Sequence, residues 1–336
     1  MQYRDAGHGS QRSRSRALDW PYPRRVRFER ELQRAAAVWF GTKGLRRHPR
    51  YSYCLAEWEQ WPQNIILPEV AEYVKRVKDE CEADGRPFPL HKWVHHGLSS
   101  QAMLFNLLGP LVVQNDLTPL AAVFAQQGLA WPSGAVRAAF EYEDRTVFNE
   151  DAGQPTSIDL VLEDAAGPRV FVESKLVERE FGACSVFLDG DCDGRNPAAD
   201  PSRCYLHHIG RRYWTVLGHH GFLRGRMATD ATCFLANHYQ FFREVGLALE
   251  KEGVFVLLSD ERSPTFWCDG PHGPRGLMTF LLDLVPESLR DRVGRITVQQ
   301  VVNAIRATGR HPWIGEFERK YALPDGLGVE EERTCP

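Results

Sequence analysis

The apolar positions of this chain change period partway along it. Up to about residue 115 they recur at helical spacing, and FERELQRAAAVWF (28–40) predicts a first helix. PEVAEYVKRVKDECEADG (68–85) predicts a second. Pro68 suits its first turn, Gly85 its exit, and Val70, Val74, Val77 and Cys81 fall on one stripe. LSSQAMLFNLLGPLVV predicts a third, capped by Ser99 or Ser100, with Met103, Leu104, Leu107 and Leu108 on its apolar face. From about residue 136 period two takes over. RAAFEYE, SIDLVLED and PRVFVESKL read as three strands joined by short Gly-, Pro- and Asp-rich links, which predicts an antiparallel meander. Helical spacing returns at about 205–217 and 231–250, and VFVLLSD (254–260) reads as a further strand. Thr297 and Gln300 form a capping box for a late helix. The order helix, three strands, helix, strand predicts an α/β core with a mixed sheet, dressed by added helices.

Three charges interrupt the apolar strands. Glu173 and Lys175 stand two apart in VFVESKL (170–176) and so share a face, with Phe171 behind them. Asp159 is the one polar interruption of SIDLVL. If the second and third strands pair through a turn near 164–168, Asp159 comes close to Glu173. Unpaired charges in core-bound strands are costly, and neighbouring carboxylates push one pKa up unless a cation lies between them. Mg²⁺, or Mn²⁺ in its place, takes oxygen ligands. Asp159, Glu173 and the Ser174 carbonyl form such a set, beside which Lys175 would orient or activate a water. This is equipment for metal-assisted phosphodiester hydrolysis. The competing readings are a buried Glu–Lys pair and an exposed sheet face with cross-strand salt bridges, neither with any chemistry.

T-S-I-D (156–159), followed fourteen residues later by E-S-K (173–175), resembles the PD-(D/E)xK nuclease superfamily. HHGLSSQAMLFNLLGPL before and ESKLVEREFG after look like bacterial restriction-endonuclease-like proteins of that superfamily, over roughly residues 91–320. The resemblance implies a restriction-endonuclease-like αβββαβ core and a metal-dependent DNA nuclease of defence, restriction or repair. It makes Asp159 and Glu173 the metal carboxylates and Lys175 the catalytic lysine. Two departures stand out. Pro155 lies four residues before Asp159 rather than beside it. The helix before the sheet offers Gln101 and Asn106 where many members carry a carboxylate, so Glu141 on the first strand becomes the candidate extra acid. Some members turn a Gln or Tyr toward the site from the helix after the third strand; Gln240, with Tyr239 and Arg243, is the match here. The alternative within the same fold is a catalytically inactive protein that binds nucleic acid or a partner protein.

Composition narrows the setting. With 43% hydrophobic and 25% charged residues, the 336-residue chain is globular in type. It has no apolar run long enough to cross a bilayer, and its start is polar and arginine-rich, so a cytoplasmic location is expected. The net charge of −3 hides an uneven distribution: residues 1–50 carry thirteen Lys/Arg against four Asp/Glu, while Glu330, Glu331 and Glu332 make an acidic tail. The expected division is a disordered basic arm (1–19), a helical N-terminal extension (20–90), the nuclease-like core (91–325) and the tail (326–336). Trp20, Tyr22, Phe28 and Trp39 interleave the basic residues, a pattern compatible with gripping a DNA backbone; the plain alternative is a solvated arm and an ordinary surface helix. A homodimer would suit double-strand cutting.

Eight scattered cysteines favour thiols or a metal site over disulfides. Cys184, Cys192 and Cys204, with His207 or His208 nearby, could hold zinc or an iron–sulfur cluster, although no C-x-x-C occurs; half-buried thiols are the default, and Cys233 reads as core packing. DGDCDGRNPAAD (189–200) imitates a calcium loop through Asp189, Asp191, Asp193 and Gly194. Asn196, Pro197 and Asp200 depart from that pattern, so a polar loop is expected. Glu178 and Glu180 read as the start of the next helix.

Overall fold

In the computed structural model, which describes residues 23–165, 167–270 and 273–323, five helices precede the sheet. They are α1 (Pro23–Thr42), α2 (Pro68–Ala83), α3 (Ser100–Leu107), α4 (Gly109–Val113) and α5 (Thr118–Gln126). The period-two segments become β1 (Arg137–Asp144), β2 (Thr156–Glu163) and β3 (Val170–Lys175). A long connection follows, with short helices α6 (Ser185–Leu188), α7 (Tyr205–His208), α8 (Tyr213–His219) and α9 (Arg226–Thr229), before the long α10 (Phe234–Glu250) and β4 (Val254–Ser259). A small hairpin of β5 (Cys268–Gly270) and β6 (Gly273–Arg275) leads through α11 (Leu277–Leu284) to β7 (Val293–Thr297), α12 (Val298–Thr308) and α13 (Ile314–Lys320).

The sheet runs β1-β2-β3-β4-β7. Short links let β1, β2 and β3 pair antiparallel, whereas β4 pairs with β3 in parallel and β7 with β4 in parallel. A parallel neighbour needs a crossover, and α10 supplies it. VFVLLS of β4 is apolar almost throughout because helices cover both of its faces. On one face Phe140, Leu160, Val172, Val256 and Ile296 pack with residues of α1, α2, α3, α5, α12 and α13. On the other, Phe171, Phe255 and Leu257 pack with Phe241, Val245 and Ala248 of α10. The result is a mixed α/β sheet with the expected αβββαβ order, carried by α3, β1, β2, β3, α10 and β4.

Local signals explain several boundaries. Pro68 starts α2, and Gly85 takes the left-handed φ of +68° just past its end. Ser99 caps α3 by accepting the Ala102 N–H at 3.2 Å. Thr297 and Gln300 close both halves of their capping box at 3.0 and 2.8 Å. Other expectations need correction. The pattern at 205–217 is split by Gly210, whose φ of +88° breaks it into α7 and α8. Glu178 starts no helix; its Oε2 takes the Leu176 N–H at 2.6 Å, and the next helix begins only at Ser185. Phe28 and Trp39 are buried in the first core rather than presented to a polyanion, because α1 packs on α13. Trp20 and Tyr22 lie outside the described residues, as do the basic arm (1–19) and the acidic tail (326–336). Cys268 is disulfide-bonded, a pairing that spacing along the chain does not encode. Among the described residues no single helix is long and apolar enough to cross a membrane.

Candidate active site

Strict strand alternation fails at one point on the sheet, and the charged residues gather there. In β1, Phe140 packs in the first core and Tyr142 against the second, two residues on. Opposite them in β2, Leu160 belongs to the first core and Ile158 to the second. Between these pairs stand Glu141 and Asp159. The Glu141 backbone has φ +54°, a left-handed conformation that non-glycine residues avoid at a cost of about 1–3 kcal/mol. This kink lets both strands change faces, and it leaves two carboxylates where a flat sheet would bury apolar groups.

The β2–β3 ladder ends at Leu160 opposite Val172, which sets Asp159 across from Glu173. There a side chain replaces the backbone partner: Ser174 N–H donates to Asp159 Oδ2 at 2.8 Å. In a strand the N–H and C=O of one residue point to the same edge, so the Ser174 carbonyl is directed into the same gap. The Ser174 hydroxyl turns to the other face and donates to the Ser100 carbonyl of α3 at 3.3 Å. Lys175 shares the face of Glu173 and donates to its Oε1 at 2.7 Å.

Helices on both faces complete the site. From α10, Gln240 accepts from Lys175 Nζ at 3.0 Å and donates to Glu173 Oε1 at 2.8 Å, locking the pair in one orientation. One turn further on, Glu244 is almost wholly buried, and neither carboxylate oxygen has a well-formed hydrogen bond, since the nearby Gln240 amide is directed at Glu173. From α3, Gln101 donates to Glu141 Oε1 at 2.7 Å and to the Pro89 carbonyl at 3.0 Å.

The electrostatics follow from this crowding. Burial pushes the Asp159, Glu141 and Glu244 carboxyls well above the ordinary carboxylate range. Glu173 raises Asp159 and Glu244 further, and Asp159 raises Glu141. Lys175 and the Ser174 N–H oppose the shift at Asp159, and Gln101 opposes it at Glu141. Burial works against the charge on Lys175, but Glu173, then Glu244, Glu178 and Asp159, outweigh it and hold the ammonium protonated. Carboxyl groups therefore outnumber cations in a region that disfavours charge, and with no cation beside them the raised carboxyls tend to keep their protons. The donor set is all hard oxygen, and it includes Glu244, whose charge is favoured only by the nearby Lys175 and Gln240. These residues fit a divalent cation such as Mg²⁺.

Asp159, Glu173, Ser174, Lys175, Glu141 and Gln240 thus come together. Tyr239 and Arg243 do not join them; Arg243 pairs with Glu150 at 2.8 Å on another side of α10. Asn106 is buried elsewhere, accepting from Ile66 N–H at 2.7 Å and donating to the Tyr321 hydroxyl at 3.0 Å. Glu244 went unread in the sequence, although its place four residues after Gln240 puts it on the same helical face. The aspartates of 189–193 do not converge as a calcium loop would require. Among the described residues the one trio of His, Cys, Asp or Glu ligand atoms within 4.8 Å of one another is His219, His220 and Glu250.

Sheet, flanking helices and the Asp, Glu-x-Lys edge define a restriction-endonuclease-like protein. More particularly, the chain belongs to the family described as restriction endonuclease associating with ARP, whose model matches residues 33–322. No curated protein and no solved structure matches the chain.

Proposed function

We propose that the protein is a metal-dependent nuclease that hydrolyses phosphodiester bonds in DNA. The observation that carries this reading is the excess of carboxyl groups: buried Glu173 and Glu244 and half-buried Asp159 act on one ammonium, Lys175, and buried Glu141 stands against Asp159. Asp159, Glu173 and the Ser174 carbonyl would hold Mg²⁺, with Mn²⁺ able to replace it, and Glu244 and Glu141 stand behind them. When bound, the ion supplies a polarised phosphoryl oxygen and an acidified water. Lys175, kept protonated by its neighbours, is not a base; it orients the attacking water and offsets charge building on the phosphoryl group. Gln240 fixes Lys175 and Glu173 relative to each other.

A surface next to the site suits a nucleic-acid strand. Trp93 is exposed with Lys92 Nζ 5.5 Å from its ring, and Tyr51 is exposed with the Arg50 guanidinium 5.5 Å from its ring. Their loops are tied by the Leu55 N–H to His95 carbonyl bond of 3.2 Å, and His91 N–H donates to Gln101 at 2.9 Å, beside the site. Aromatic faces with cations are the usual platform for stacked bases and phosphates. The family's description as a restriction endonuclease favours restriction over repair as the setting.

The test is incubation with plasmid and linear DNA, with and without Mg²⁺ or Mn²⁺, beside Asp159→Ala and Lys175→Ala. Metal-dependent cutting that both variants lose, by about 10²–10³-fold for Lys175→Ala, is the expected result. Cutting that survives in either variant sinks the assignment. DNA binding without cutting under any metal leaves a binding protein instead.

A further inference from the structure

Cys184, Cys192, Cys204 and Cys233, spread over fifty residues of sequence, line a single cavity of about 180 Å³. The fold brings them there by specific contacts. Cys184 N–H bonds to the Ala236 carbonyl at 3.0 Å, which ties the end of the loop after β3 to the first turn of α10. Cys233 N–H bonds to the Gly194 carbonyl at 2.8 Å, and Arg195 bridges Thr232, which sets the Cys192 loop beside Cys233. Gly194 has φ +73°, and a Cβ there would stand 2.8 Å from the Phe187 ring, so the loop can close only on glycine. All four cysteines are free thiols. His207 and His208 are not among the residues lining the cavity.

We infer that these four thiolates hold an iron–sulfur cluster. A single zinc draws its sulfurs to within about 3.8 Å of one another, as tetrahedral bonds of about 2.3 Å require. No three of these sulfurs lie within 4.8 Å of one another. They stand around a space several times the roughly 30 Å³ that one water occupies. A cubic cluster separates its four thiolates by its own width and fills such a space. The lining also suits an anionic cluster. Arg203 borders it, as do Arg195 and Asp193, which pair at 3.2 Å; Gly194 N–H already donates to Cys192 Sγ at 3.4 Å, and the buried indole N–H of Trp214 has no partner. The centre would cross-link the connection from β3 to α10, whose regular pieces are helices of only three to seven residues. Cys233 immediately precedes α10, seven residues before Gln240, with a kink at His238 (φ −132°, ψ 35°) between them. The cluster would therefore anchor the helix that carries Gln240 and Glu244.

The full chain, purified without air and reconstituted with iron and sulfide before desalting, is assayed for iron, acid-labile sulfide and zinc. Visible absorption is read before and after dithionite. About four iron and four sulfide per chain are expected, with a broad visible band that bleaches on reduction. Cys184→Ser, Cys192→Ser, Cys204→Ser and Cys233→Ser each lose most of that iron, while Cys54→Ser and Cys81→Ser keep it. The wild-type stoichiometry decides the matter even where a variant fails to fold, and it does not depend on DNA cutting. One zinc per chain without iron, or neither metal retained, overturns the cluster. So does full iron retention in all four cysteine variants.

Discussion

Helix α10 borders two buried polar clusters that differ in one respect. On the Arg243 side the charges are matched. Arg243 pairs with Glu150 at 2.8 Å and donates to Thr156 Oγ1 at 3.0 Å, while Glu150 also accepts from Thr156 N–H at 2.6 Å and the Tyr213 hydroxyl at 2.5 Å. Tyr239 and Tyr213 stack edge to face beside the guanidinium. On the Glu244 side, Lys175 pairs with Glu173 at 2.7 Å while Asp159, Glu141 and Glu244 have no cation of their own, and Glu244 has no well-formed hydrogen bond. The first cluster is complete in the protein as folded. The second has more carboxyl groups than cations to match them, which is a pattern of binding sites more than of structural ion pairs.

The contrast is tested hardest at Arg243. Arg243→Met leaves the Glu150 carboxylate buried without its cation, and the expected loss is about 3–5 kcal/mol in denaturant unfolding. A loss under about 1 kcal/mol would mean that the matched cluster holds nothing together. Glu244→Gln should move stability the other way. Removing one like charge from the crowded side stabilises the metal-free protein by about 1–3 kcal/mol at pH 7, while metal-dependent cutting falls. Destabilisation by Glu244→Gln would show that the carboxylate has a partner after all.

pH offers a test without mutation. Asp159, Glu141 and Glu244 have folded pKa values above their unfolded ones of about 4. Their contribution to stability is present below pH 4 and is lost as pH rises toward the folded values. Each tenfold gain in a carboxylate's proton affinity on folding makes that loss larger by about 1.4 kcal/mol. A cation that neutralises the carboxylates removes the loss. The rise in Tm on adding Mg²⁺ should therefore grow between about pH 5 and pH 8. A gain that is flat with pH would separate ion binding from these carboxylates.

Much of the site was legible because period two is unforgiving: Asp159, Glu173 and Lys175 stood out as charges in strands otherwise bound for the core. The capping signals at Ser99 and Thr297 were readable for the same local reason. What escaped was carried by distance or by backbone conformation. Nothing in RAAFEYE announces that Glu141 takes a left-handed φ, since tertiary packing imposes it. Glu244 hid in an apolar helix beside a more familiar glutamine. Phe28 and Trp39 looked available for stacking because the sequence does not show α13 closing over α1. The convergence of Cys192 on Cys233 depends on contacts between loops far apart in the chain.

The smallest expected effects concern Gln101 of α3, buried against Glu141. Its amide bridges Glu141, the Pro89 carbonyl and the His91 N–H. Gln101→Ala removes the one donor that favours the Glu141 charge, and the expected loss is about 1 kcal/mol of stability. Activity should fall about tenfold, as for other groups that orient a metal-binding residue. Gln101→Glu adds a further carboxylate against Glu141. If the crowded side is built for a cation, this variant should melt lower than wild type without Mg²⁺ and recover more of its Tm when Mg²⁺ is added. If Glu141 is merely a buried, hydrogen-bonded acid, Gln101→Glu should lower Tm equally with and without the ion. That outcome would take Glu141 out of the site while leaving Asp159, Glu173 and Lys175 in it.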